Sequence, residues 1–361
     1  MSASEQRGPL QAARQARLLE ALHRDGMLRV SDLTATLGSS AVTIRRDIAQ
    51  LAAEGLVRRV HGGVTLPSTD DAPEPSTARS LGMLVPSLDY YWPHVAQGAE
   101  EAARELDMRV VLRGSSYETE NDRPQLARLL DQQGVDALVV APRMDTPSAQ
   151  ATIDWLAGTG IPVVLLERTA AAGPHHAALE SVVTDHALGA AMAVRHLASL
   201  GHRKVGLVLA DSSPTGPHVH RGWLEAVADC GLDTATVDAR VPNARSPQCP
   251  AALDAALDQA LASGTTALLV HADAEAIALV QRCEERALSI PESLSVIAYD
   301  DEVAGMFSPP LTAVRPPRRS IGRAAVRLVA DRLTDPSRPA HRVIISPALR
   351  IRGSTAPPGY A

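Results

Sequence analysis

Between residues 81 and 299, short apolar runs alternate with longer segments of helical periodicity. A chain that repeats strand and helix in this way builds parallel sheets, because parallel strands need a crossover that a helix supplies. About ten strands divide best into two open sheets, so we expect an α/β body of two lobes, each a doubly wound parallel sheet. The strands with the clearest pattern are predicted at 81–86, 108–112, 135–141, 161–166, 205–209, 236–239, 267–271 and 294–299.

Length and composition set the broad class of the protein. The chain has 361 residues, which exceeds one ordinary core and predicts two or three domains. No run approaches the ~20 apolar residues of a membrane span. The first ten residues also lack the apolar core of a signal peptide, so we expect a cytoplasmic protein with no membrane partner.

The sequence carries no motif that indicates catalysis, a metal site or a cofactor. Strings of the GxGxxG, P-loop and GxSxG types are absent. The three cysteines, Cys230, Cys249 and Cys283, lack metal-ligand spacing and are expected to stay reduced. We therefore predict no catalytic residue, no metal and no cofactor.

Residues 31–54 have the pattern of two helices joined by a tight turn. Ser31 is placed to cap the first helix and Gly38 to end it, because glycine enters the left-handed region without a Cβ penalty. Ser40 then caps a second helix that extends to about residue 54. At 100° per residue, the buried side of the second helix holds Ala41, Ile44, Ile48 and Leu51.

The opposite side of the second helix carries side chains that can read DNA. Arginine pairs with guanine, glutamine pairs with adenine, and small methyl groups contact the thymine methyl. In helix–turn–helix proteins the second helix enters the major groove. The alternative is an ordinary amphipathic helix whose charged side faces water. The candidate DNA contacts on this helix are Ser40, Val42, Thr43, Arg45, Arg46 and Gln50.

The next segment favours the DNA-binding interpretation. Two β-prone runs flank a Gly-Gly pair within residues 56–66, which predicts a hairpin. Arg58, Arg59 and His61 lie on this hairpin, where they can contact phosphates. The region resembles the DeoR-type winged helix–turn–helix family in its strings TIRRD (43–47), EGL (54–56) and RVHGG (59–63).

Charge separates this head from the rest of the chain. Nine arginines against six acidic residues give residues 1–66 a charge of +3, and the total of −6 leaves −9 for the remainder. A basic head on an acidic body fits a head that meets a polyanion. Residues 67–80 are rich in proline and acidic residues and have no large apolar group, so we expect a linker there.

Polar side chains follow three of the predicted strands of the body. Ligands of open parallel sheets bind beyond the carboxyl ends of the strands. An aromatic run follows the first strand, a Glu–Arg pair the fourth and an acidic pair the last. The alternatives are a hydrophobic plug, a surface ion pair and helix capping, respectively. The candidate ligand contacts are Asp89, Tyr91, Trp92, Glu167, Arg168 and Asp300.

The body resembles the effector-binding domain of the LacI/GalR family and of periplasmic sugar-binding proteins. The resemblance implies two Rossmann-like lobes joined by three crossovers, a sugar-like effector between the lobes, and a homodimer. It is carried by GIPVV (160–164), HLASLGHRKV (196–205), SVIAYDD (295–301) and PPLT (309–312). The implied domains are the head (1–66), the linker (67–80) and the body (81–355), with lobes at 81–184 plus 316–335 and at 185–315 plus 340–355.

The resemblance carries over unequally to the two lobes. The first lobe keeps the sugar-contacting pattern, whereas the second departs from it. The arginine expected before Gly222 is absent, which leaves His220 as a nearby candidate. The asparagine expected before Asp273 is Ala272, which leaves Asp273 itself as a candidate. These departures allow a non-standard effector.

Together these features predict a transcription regulator, most simply a repressor, that binds a double-stranded DNA operator under the control of a small effector. Two other classes are weighed against it. A solute-binding protein for a transporter would need a signal peptide and would not carry the head. A sugar-processing enzyme would need a convergent acid–base pair, although DeoR-type heads often precede sugar-phosphate isomerase-like bodies.

Overall fold

A computed structural model describes residues 11–53, 56–60, 63–66, 79–116, 121–211 and 213–359. The chain divides into two compact units, Met1–Thr77 and Ala78–Ala361. Within the described part of the chain, no helix is both long enough and apolar enough to cross a lipid bilayer.

The first unit is a three-helix head with a small antiparallel sheet, which confirms the predicted winged helix–turn–helix. Strand β3 lies between β1 and β2 in this sheet. Helix α2 begins one residue before Ser31, so that serine is not its N-cap as predicted. The elements are α1 (Gln11–Asp25), β1 (Met27–Arg29), α2 (Val30–Leu37), α3 (Ala41–Ala53), β2 (Arg58–Val60) and β3 (Gly63–Thr65).

The core of the head is built from the apolar sides of its three helices. Ile44 and Ile48 of α3 are 0% and 3% exposed, as the helical periodicity predicts. The Ser40 hydroxyl accepts a hydrogen bond from the Thr43 amide at 3.2 Å and caps α3. The buried carboxylate of Asp47 in α3 accepts hydrogen bonds from the Arg14 guanidinium of α1 at 2.5 and 3.2 Å, and these bonds join the two helices. The other buried core side chains include Leu18, Leu22, Leu33, Leu37, Leu51, Val57 and Val64.

The second unit begins with a six-stranded parallel sheet, the first lobe. Its spatial order is β16-β10-β7-β6-β4-β5, and α4 and α11 pack together on one of its faces. Its strands are β4 (Ser80–Val85), β5 (Arg109–Gly114), β6 (Ala137–Val140), β7 (Val163–Leu166), β10 (Glu180–Thr184) and β16 (Arg342–Ile345), and β8 (Ala171–Ala172) pairs with β9 (Ala177–Ala178) in a separate ribbon. Its helices are α4 (Trp92–Glu105), α5 (Arg123–Gln133), α6 (Ala149–Ala157) and α11 (Arg318–Thr334).

The second lobe repeats this plan with one antiparallel edge strand. Its spatial order is β12-β11-β13-β14-β15-β17, and only β17 runs antiparallel to its neighbour. Its strands are β11 (Val205–Ala210), β12 (Asp238–Val241), β13 (Ala267–His271), β14 (Ser295–Tyr299), β15 (Thr312–Arg315) and β17 (Ala348–Arg350). Its helices are α7 (His186–Ser199), α8 (Gly216–Asp229), α9 (Cys249–Ser263) and α10 (Asp273–Glu285), and a short 3-10 helix covers Ala304–Met306.

Three crossovers join the lobes, between β10 and α7, between β15 and α11, and between β16 and β17. Helix α11 returns to the first lobe and crosses α4 at backbone contact. A Cβ atom on Gly98 would lie 2.0 Å from the Arg319 carbonyl oxygen, and one on Gly322 would lie 2.0 Å from the Val95 carbonyl oxygen. Both positions therefore require glycine.

One assignment to a lobe differs from the prediction. Residues 340–355 are predicted in the second lobe, but β16 pairs in parallel with β10 of the first lobe. Val343 and Ile345 of β16 pack against the core of the first lobe, and this burial of apolar surface holds the strand there. Only β17 and the residues after it join the second lobe.

Candidate functional site

The carboxyl ends of strands from both sheets meet at the crossover between β10 and α7. His186, the first residue of α7, has a side chain that is 8% exposed. Its Nδ1 lies 3.0 Å from the Tyr299 hydroxyl at the end of β14, and its Nε2 lies 3.4 Å from Oε2 of Glu167 after β7. One buried imidazole thus connects a polar side chain of each sheet.

Glu167, a predicted effector contact, uses its carboxylate inside the protein. Oε1 accepts hydrogen bonds from the Tyr91 hydroxyl at 2.5 Å and the Thr184 hydroxyl at 2.7 Å, and Oε2 accepts one from the Thr184 amide at 2.8 Å. Burial acts to raise the pKa of Glu167, but the hydrogen bond and charge of His186, with the bonds from Thr184 and Tyr91, lower it to about 2. With His186 beside Oε2, the lone pairs of this carboxylate are occupied by the protein.

The aromatic run after β4 is divided between the core and the cleft. Trp92 is 3% exposed and packs in the core of the first lobe, so the structure does not place it where the sequence predicts stacking on an effector. The apolar area of an indole is more stable in the core than at a wet cleft. Tyr91 contacts Trp92 edge to face at 5.3 Å, and its hydroxyl is engaged by Glu167.

Tyr90 belongs to the same aromatic run but is not among the predicted ligand contacts, and it is the residue of the run that stays accessible. It is 42% exposed, and its backbone is left-handed with φ of 63°. Burial of the hydroxyl, followed by the charges of Asp300 and Asp273, raises the pKa of Tyr90. The side chain therefore lies near acidic groups of the second lobe. Asp89 beside it is exposed, and its amide donates to the Ser87 hydroxyl at 2.9 Å.

Asp300 lies directly after β14 and is 8% exposed. Among the residues that the structure describes, none donates a hydrogen bond to its carboxyl group. Burial, and then the charge of Asp273, raises the pKa of Asp300 to about 8, although Arg318 acts in the opposite direction. A nearly buried carboxyl group that receives no protein donor has unused hydrogen-bonding capacity, which is uncommon for a buried polar group.

Asp273 is not available as a ligand contact, which corrects the prediction. It is 0% exposed. Its Oδ1 accepts a hydrogen bond from the Asp301 amide at 3.1 Å, and its Oδ2 accepts bonds from the amides of Glu302, Val303 and Ala304. Four orphan amides of the loop after β14 are satisfied by one carboxylate, so Asp273 shapes the loop that presents Asp300.

Arg318 is a functional residue that the sequence analysis did not single out. It lies in the first turn of α11, and its guanidinium donates to the Asp300 carbonyl oxygen at 2.5 Å. Its Nε lies 3.2 Å from Oε1 of Glu302, and the guanidinium stacks on the Tyr91 ring at 5.7 Å. The arginine pair after the crossover at 316–317 is the sequence signal that could have indicated it.

His220 does not reach the cleft, which corrects another predicted contact. Its Nε2 lies 2.8 Å from Oδ2 of Asp238, the first residue of β12. The first residue of a parallel strand lies at the edge opposite to its carboxyl end. Helix α8 begins at Gly216 with Pro217 in its first turn, so His218 and not His220 is the histidine nearer to the carboxyl end of β11.

His218 takes the place predicted for His220. It lies in the first turn of α8, where burial, followed by the charge of His186 and those of two arginines including Arg168, lowers the pKa of His218. Arg168 donates to the Glu167 carbonyl oxygen at 2.7 Å. Arg168 follows β7 of the first lobe and His218 follows β11 of the second, so both lie beyond the carboxyl ends of strands.

In the head, α3 presents polar side chains away from the core. Arg46 and Gln50 are exposed, and the Gln15 amide donates to Oε1 of Gln50 at 3.2 Å. Ser40 is exposed and Thr43 half-buried, with their hydroxyls 2.8 Å apart. Their capping contact orients the start of the helix.

The other predicted DNA contacts lie at the edge of what the structure describes. In the hairpin, Arg58 pairs with Thr65 and Arg59 with Val64 in antiparallel register. His61 lies outside the described residues. The structure describes only the backbone of Val42, Arg45, Arg58 and Arg59.

Within the ranges that the structure describes, no three histidine, cysteine or acidic side chains are grouped closely enough to hold a metal ion. The three cysteines are free thiols, and burial raises the pKa of Cys283 to about 11.

Three family models match the chain in succession. A DeoR-like helix–turn–helix domain matches residues 14–70, a periplasmic binding protein domain matches residues 81–245, and a periplasmic binding protein-like domain matches residues 194–355. Both predicted resemblances, of the head and of the body, are thereby confirmed.

Similar proteins of known type are transcriptional regulators and not enzymes. The PurR repressor of Photobacterium profundum is 27% identical over 91% of this chain and 98% of its own length. An HTH-type regulator of Streptomyces limosus is 30% identical over 78% of this chain and 80% of its own length.

Solved structures agree with this assignment. A LacI-family regulator of Enterococcus faecium with bound ribose superposes with a TM-score of 0.62 at 26% identity, covering 77% of this chain and 99% of that one. The CelR–cellobiose complex shares the fold, with a TM-score of 0.64 at 21% identity, covering 87% of this chain and 90% of that one. The chain therefore belongs to the HTH-type transcriptional regulators, with a DeoR-like helix–turn–helix head before a periplasmic-binding-protein-like body that is similar to the bodies of LacI-family regulators.

Proposed function

We propose that this regulator binds an operator through its head and that a small polar effector, bound between the lobes of the body, changes its affinity for that operator. The observation that carries the proposal is the Asp300 carboxyl group, which is nearly buried at the end of β14 and receives no hydrogen bond from the described residues. Burying a polar group without a partner costs free energy, and a ligand that supplies a donor recovers it.

The cleft suits a hydroxyl-rich ligand of the sugar class. Asp300, Tyr90, Arg168 and His218 offer hydrogen-bonding groups beyond the carboxyl ends of β14, β4, β7 and β11, respectively. Carboxyl and guanidinium groups together can bind adjacent hydroxyls, one accepting and the other donating. The ribose in the Enterococcus faecium relative and the cellobiose in the CelR complex support this class of ligand.

In the head, α3 is the proposed recognition helix. Arg46 and Gln50 are its exposed side chains with the hydrogen-bonding groups that read base edges. The predicted hairpin arginines, Arg58 and Arg59, are proposed to contact phosphates, which position the head without selecting sequence.

The assembly is proposed to be a homodimer in which each head reads one half-site. Residues 67–80 are proposed as the linker between head and body. Effector closure of the two lobes would then change the spacing of the heads, and the affinities for effector and operator would be linked reciprocally. Sedimentation equilibrium of the intact chain, with and without operator, measures this stoichiometry directly.

The decisive experiment titrates effector candidates into a complex of the intact chain with DNA from upstream of its own gene. Fluorescence anisotropy measures the operator affinity, and calorimetry on the same samples identifies which monosaccharides bind. A ligand that binds the protein is expected to change the operator affinity by fivefold or more, since coupling energies of this kind are about 1–3 kcal/mol. Ligands that bind the body and leave operator affinity unchanged would contradict the proposal.

A substitution on α3 tests the DNA-reading surface. Arg46→Ala is expected to weaken specific binding by about 1–3 kcal/mol if the guanidinium contacts a base. Arg17→Ala, on the exposed side of α1, is the charge-matched control and should weaken binding to specific and to non-specific DNA equally. An Arg46→Ala footprint and affinity equal to those of the Arg17→Ala control would remove Arg46 from the base-reading set.

A further inference from the structure

The acidic end of the cleft indicates the chemistry of the effector. We propose that the effector presents a protonated amine to the Asp300 carboxyl group, and that an amino sugar or a related polar amine is favoured over its neutral counterpart. This inference deepens the proposed function and rests on it for the identity of the site. The amine inference goes beyond the proposed function because a neutral sugar would satisfy that function equally well.

The surroundings of Asp300 carry more acidic groups than cations. Arg315 and Arg352 are paired with Asp301, and His94 lies 3.5 Å from Glu302. The acidic groups whose charges act on Asp300 are Asp273, Glu302 and Glu275, and Arg318 acts against them. That guanidinium is already committed, because it donates to the Asp300 carbonyl oxygen and pairs with Glu302. A ligand that brings a cation therefore completes the charge balance of this end.

The nearby carboxylates cannot donate the hydrogen bond that the Asp300 carboxyl group lacks. Asp273 accepts four backbone amides, and Glu275 accepts the amides of Ala244 and Ala272. Their oxygens are fixed by these donors, so they remain acceptors that repel an anion from the site. Asp300 is nearly buried and receives no hydrogen bond from the described residues. Among those residues, Oε1 of Glu302 is also buried without a hydrogen-bond partner, but it forms an ion pair with Arg318 at 3.2 Å. The Asp300 carboxyl group is thus the point at which a cationic donor would bind.

A charged donor gains more here than a neutral one. Hydrogen bonds between two ionised groups are about twice as strong as neutral ones, and burial reduces the screening of their attraction. A sugar hydroxyl would donate a hydrogen bond but would leave the excess of negative charge in place. The Tyr90 hydroxyl, which lies near these acids, can accept a second hydrogen bond from an ammonium group.

Binding an ammonium group has a proton balance that can be measured. The raised pKa of Asp300, about 8, keeps its carboxyl group protonated at neutral pH. When the ammonium group binds, the O–H bond of the carboxyl group breaks, the proton passes to the buffer, and the ammonium N–H donates to the resulting carboxylate. Binding of the amine is therefore coupled to the release of up to one proton, whereas a neutral sugar releases none.

Isothermal titration calorimetry of the full-length chain at pH 7 tests the inference with matched probes. Glucosamine, N-acetylglucosamine and glucose place an ammonium, an amide and a hydroxyl group at the same carbon, and the galactose series does the same in another stereochemistry. In at least one series the amine should bind tenfold or more tightly than both neutral members. Its heat should vary with the ionisation enthalpy of the buffer, as proton release requires. Equal or tighter binding of a neutral member, or no binding of any amine, overturns the inference.

Two variants separate a contact from a general effect on the fold. Asp300→Asn keeps the shape of the side chain and should reduce the preference for the amine to less than threefold and abolish the buffer-dependent heat. Asp229→Asn replaces an exposed carboxylate at the end of α8 and is the matched control. It should keep both the preference for the amine and the buffer-dependent heat. A full preference in Asp300→Asn would overturn the inference.

Operator affinity measured on the same samples distinguishes the two proposals. If neutral sugars bind best and change operator affinity, the effector mechanism holds and the amine inference fails. If the amine binds through Asp300 but no ligand changes operator affinity, the amine inference holds and the effector mechanism fails.

Discussion

Glu167 in the first lobe and Asp300 in the second occupy equivalent places but behave in opposite ways. Each follows a parallel strand directly, and each has a left-handed backbone, with φ of 52° and 89°. Their exposures are similarly low, 5% for the Glu167 side chain and 8% for Asp300. Yet the pKa of Glu167 falls to about 2 and the pKa of Asp300 rises to about 8.

The difference lies in the partners and not in the depth of burial. Glu167 receives donors from Tyr91 and Thr184 and lies beside His186, whereas Asp300 faces other carboxylates and receives no hydrogen bond from the described residues. Burial alone favours the neutral acid, and hydrogen bonds to the carboxylate reverse that preference. The strand-end acid of the first lobe is therefore satisfied within the protein, whereas that of the second lobe is left without a donor from the part of the chain that the structure describes, as the proposed effector site requires. Strained residues at a functional site are consistent with both roles.

The largest expected effect comes from breaking the satisfied site. Glu167→Gln removes the negative charge from a buried network and leaves His186 without its acidic partner, so it should lower the free energy of unfolding by about 3 kcal/mol. Urea denaturation at pH 7 measures this loss. Glu284→Gln, on the exposed side of α10, is the control and should change stability by less than about 0.5 kcal/mol. Equal losses of stability in the two variants would mean that Glu167 does not stabilise the crossover between β10 and α7.

The Asp300 site should make the free energy of unfolding depend on pH with the sign opposite to that of the Glu167 site. Asp300 keeps its proton in the folded state up to about pH 8, while the unfolded chain loses it near 3.8, so its contribution to stability is complete below about pH 4 and declines as pH rises to about 8. The decline is at most about 1.4 kcal/mol per pH unit. Asp300→Asn should remove it, which makes the variant more stable than the wild type at pH 8 and brings the two together at low pH.

Thermal unfolding between pH 5 and 8 checks the Asp300 prediction. Glu167 supplies the contrast, because its lowered pKa gives stability that is present above about pH 4.5 and is lost as pH falls toward 2. A wild-type curve that runs parallel to that of Asp300→Asn from pH 5 to pH 8 would count against a neutral Asp300.

Two neighbouring tyrosines sharpen the comparison with the smallest change of atoms. Tyr91→Phe removes the hydroxyl that donates to Glu167 and should cost about 1–2 kcal/mol, because a buried charged acceptor loses a donor. Tyr90→Phe removes a hydroxyl near Asp300 from a residue that is 42% exposed, and it should change stability by less than about 0.5 kcal/mol. Urea denaturation of both variants provides the measurement, and equal costs would show that the two sites are alike.

Sequence periodicity predicts the fold of this chain well because burial has a repeating pattern. The α3 positions Ile44 and Ile48 and the central strands β6 and β13 are buried as expected from their apolar spacing, whereas the edge strand β5 leaves Leu112 42% exposed. The same logic identifies which residues follow each strand. It explains why Glu167 and Asp300 could both be chosen as candidates.

Periodicity does not reveal which partner a polar side chain finds. Tyr91 and Glu167 are 76 residues apart, and His186 and Tyr299 are 113 residues apart, so neither contact has a local signal. Trp92 and Asp273 are predicted at the cleft, but Trp92 packs in the core of the first lobe and the Asp273 carboxylate accepts hydrogen bonds from four backbone amides. The position of His220 does have a local signal, because a proline in the first turn of α8 is typical of a helix start and would place His218 nearer to that start.

The late return of β16 and β17 to the two sheets bears on biosynthesis. Residues 342–345 complete the edge of one sheet and residues 348–350 the edge of the other, although both sheets begin much earlier in the chain. During synthesis from the amino terminus, the head can fold as soon as it emerges from the ribosome, whereas neither lobe can finish until nearly the whole polypeptide is out. A nascent chain would therefore acquire a DNA-reading surface well before it acquires a complete effector sensor.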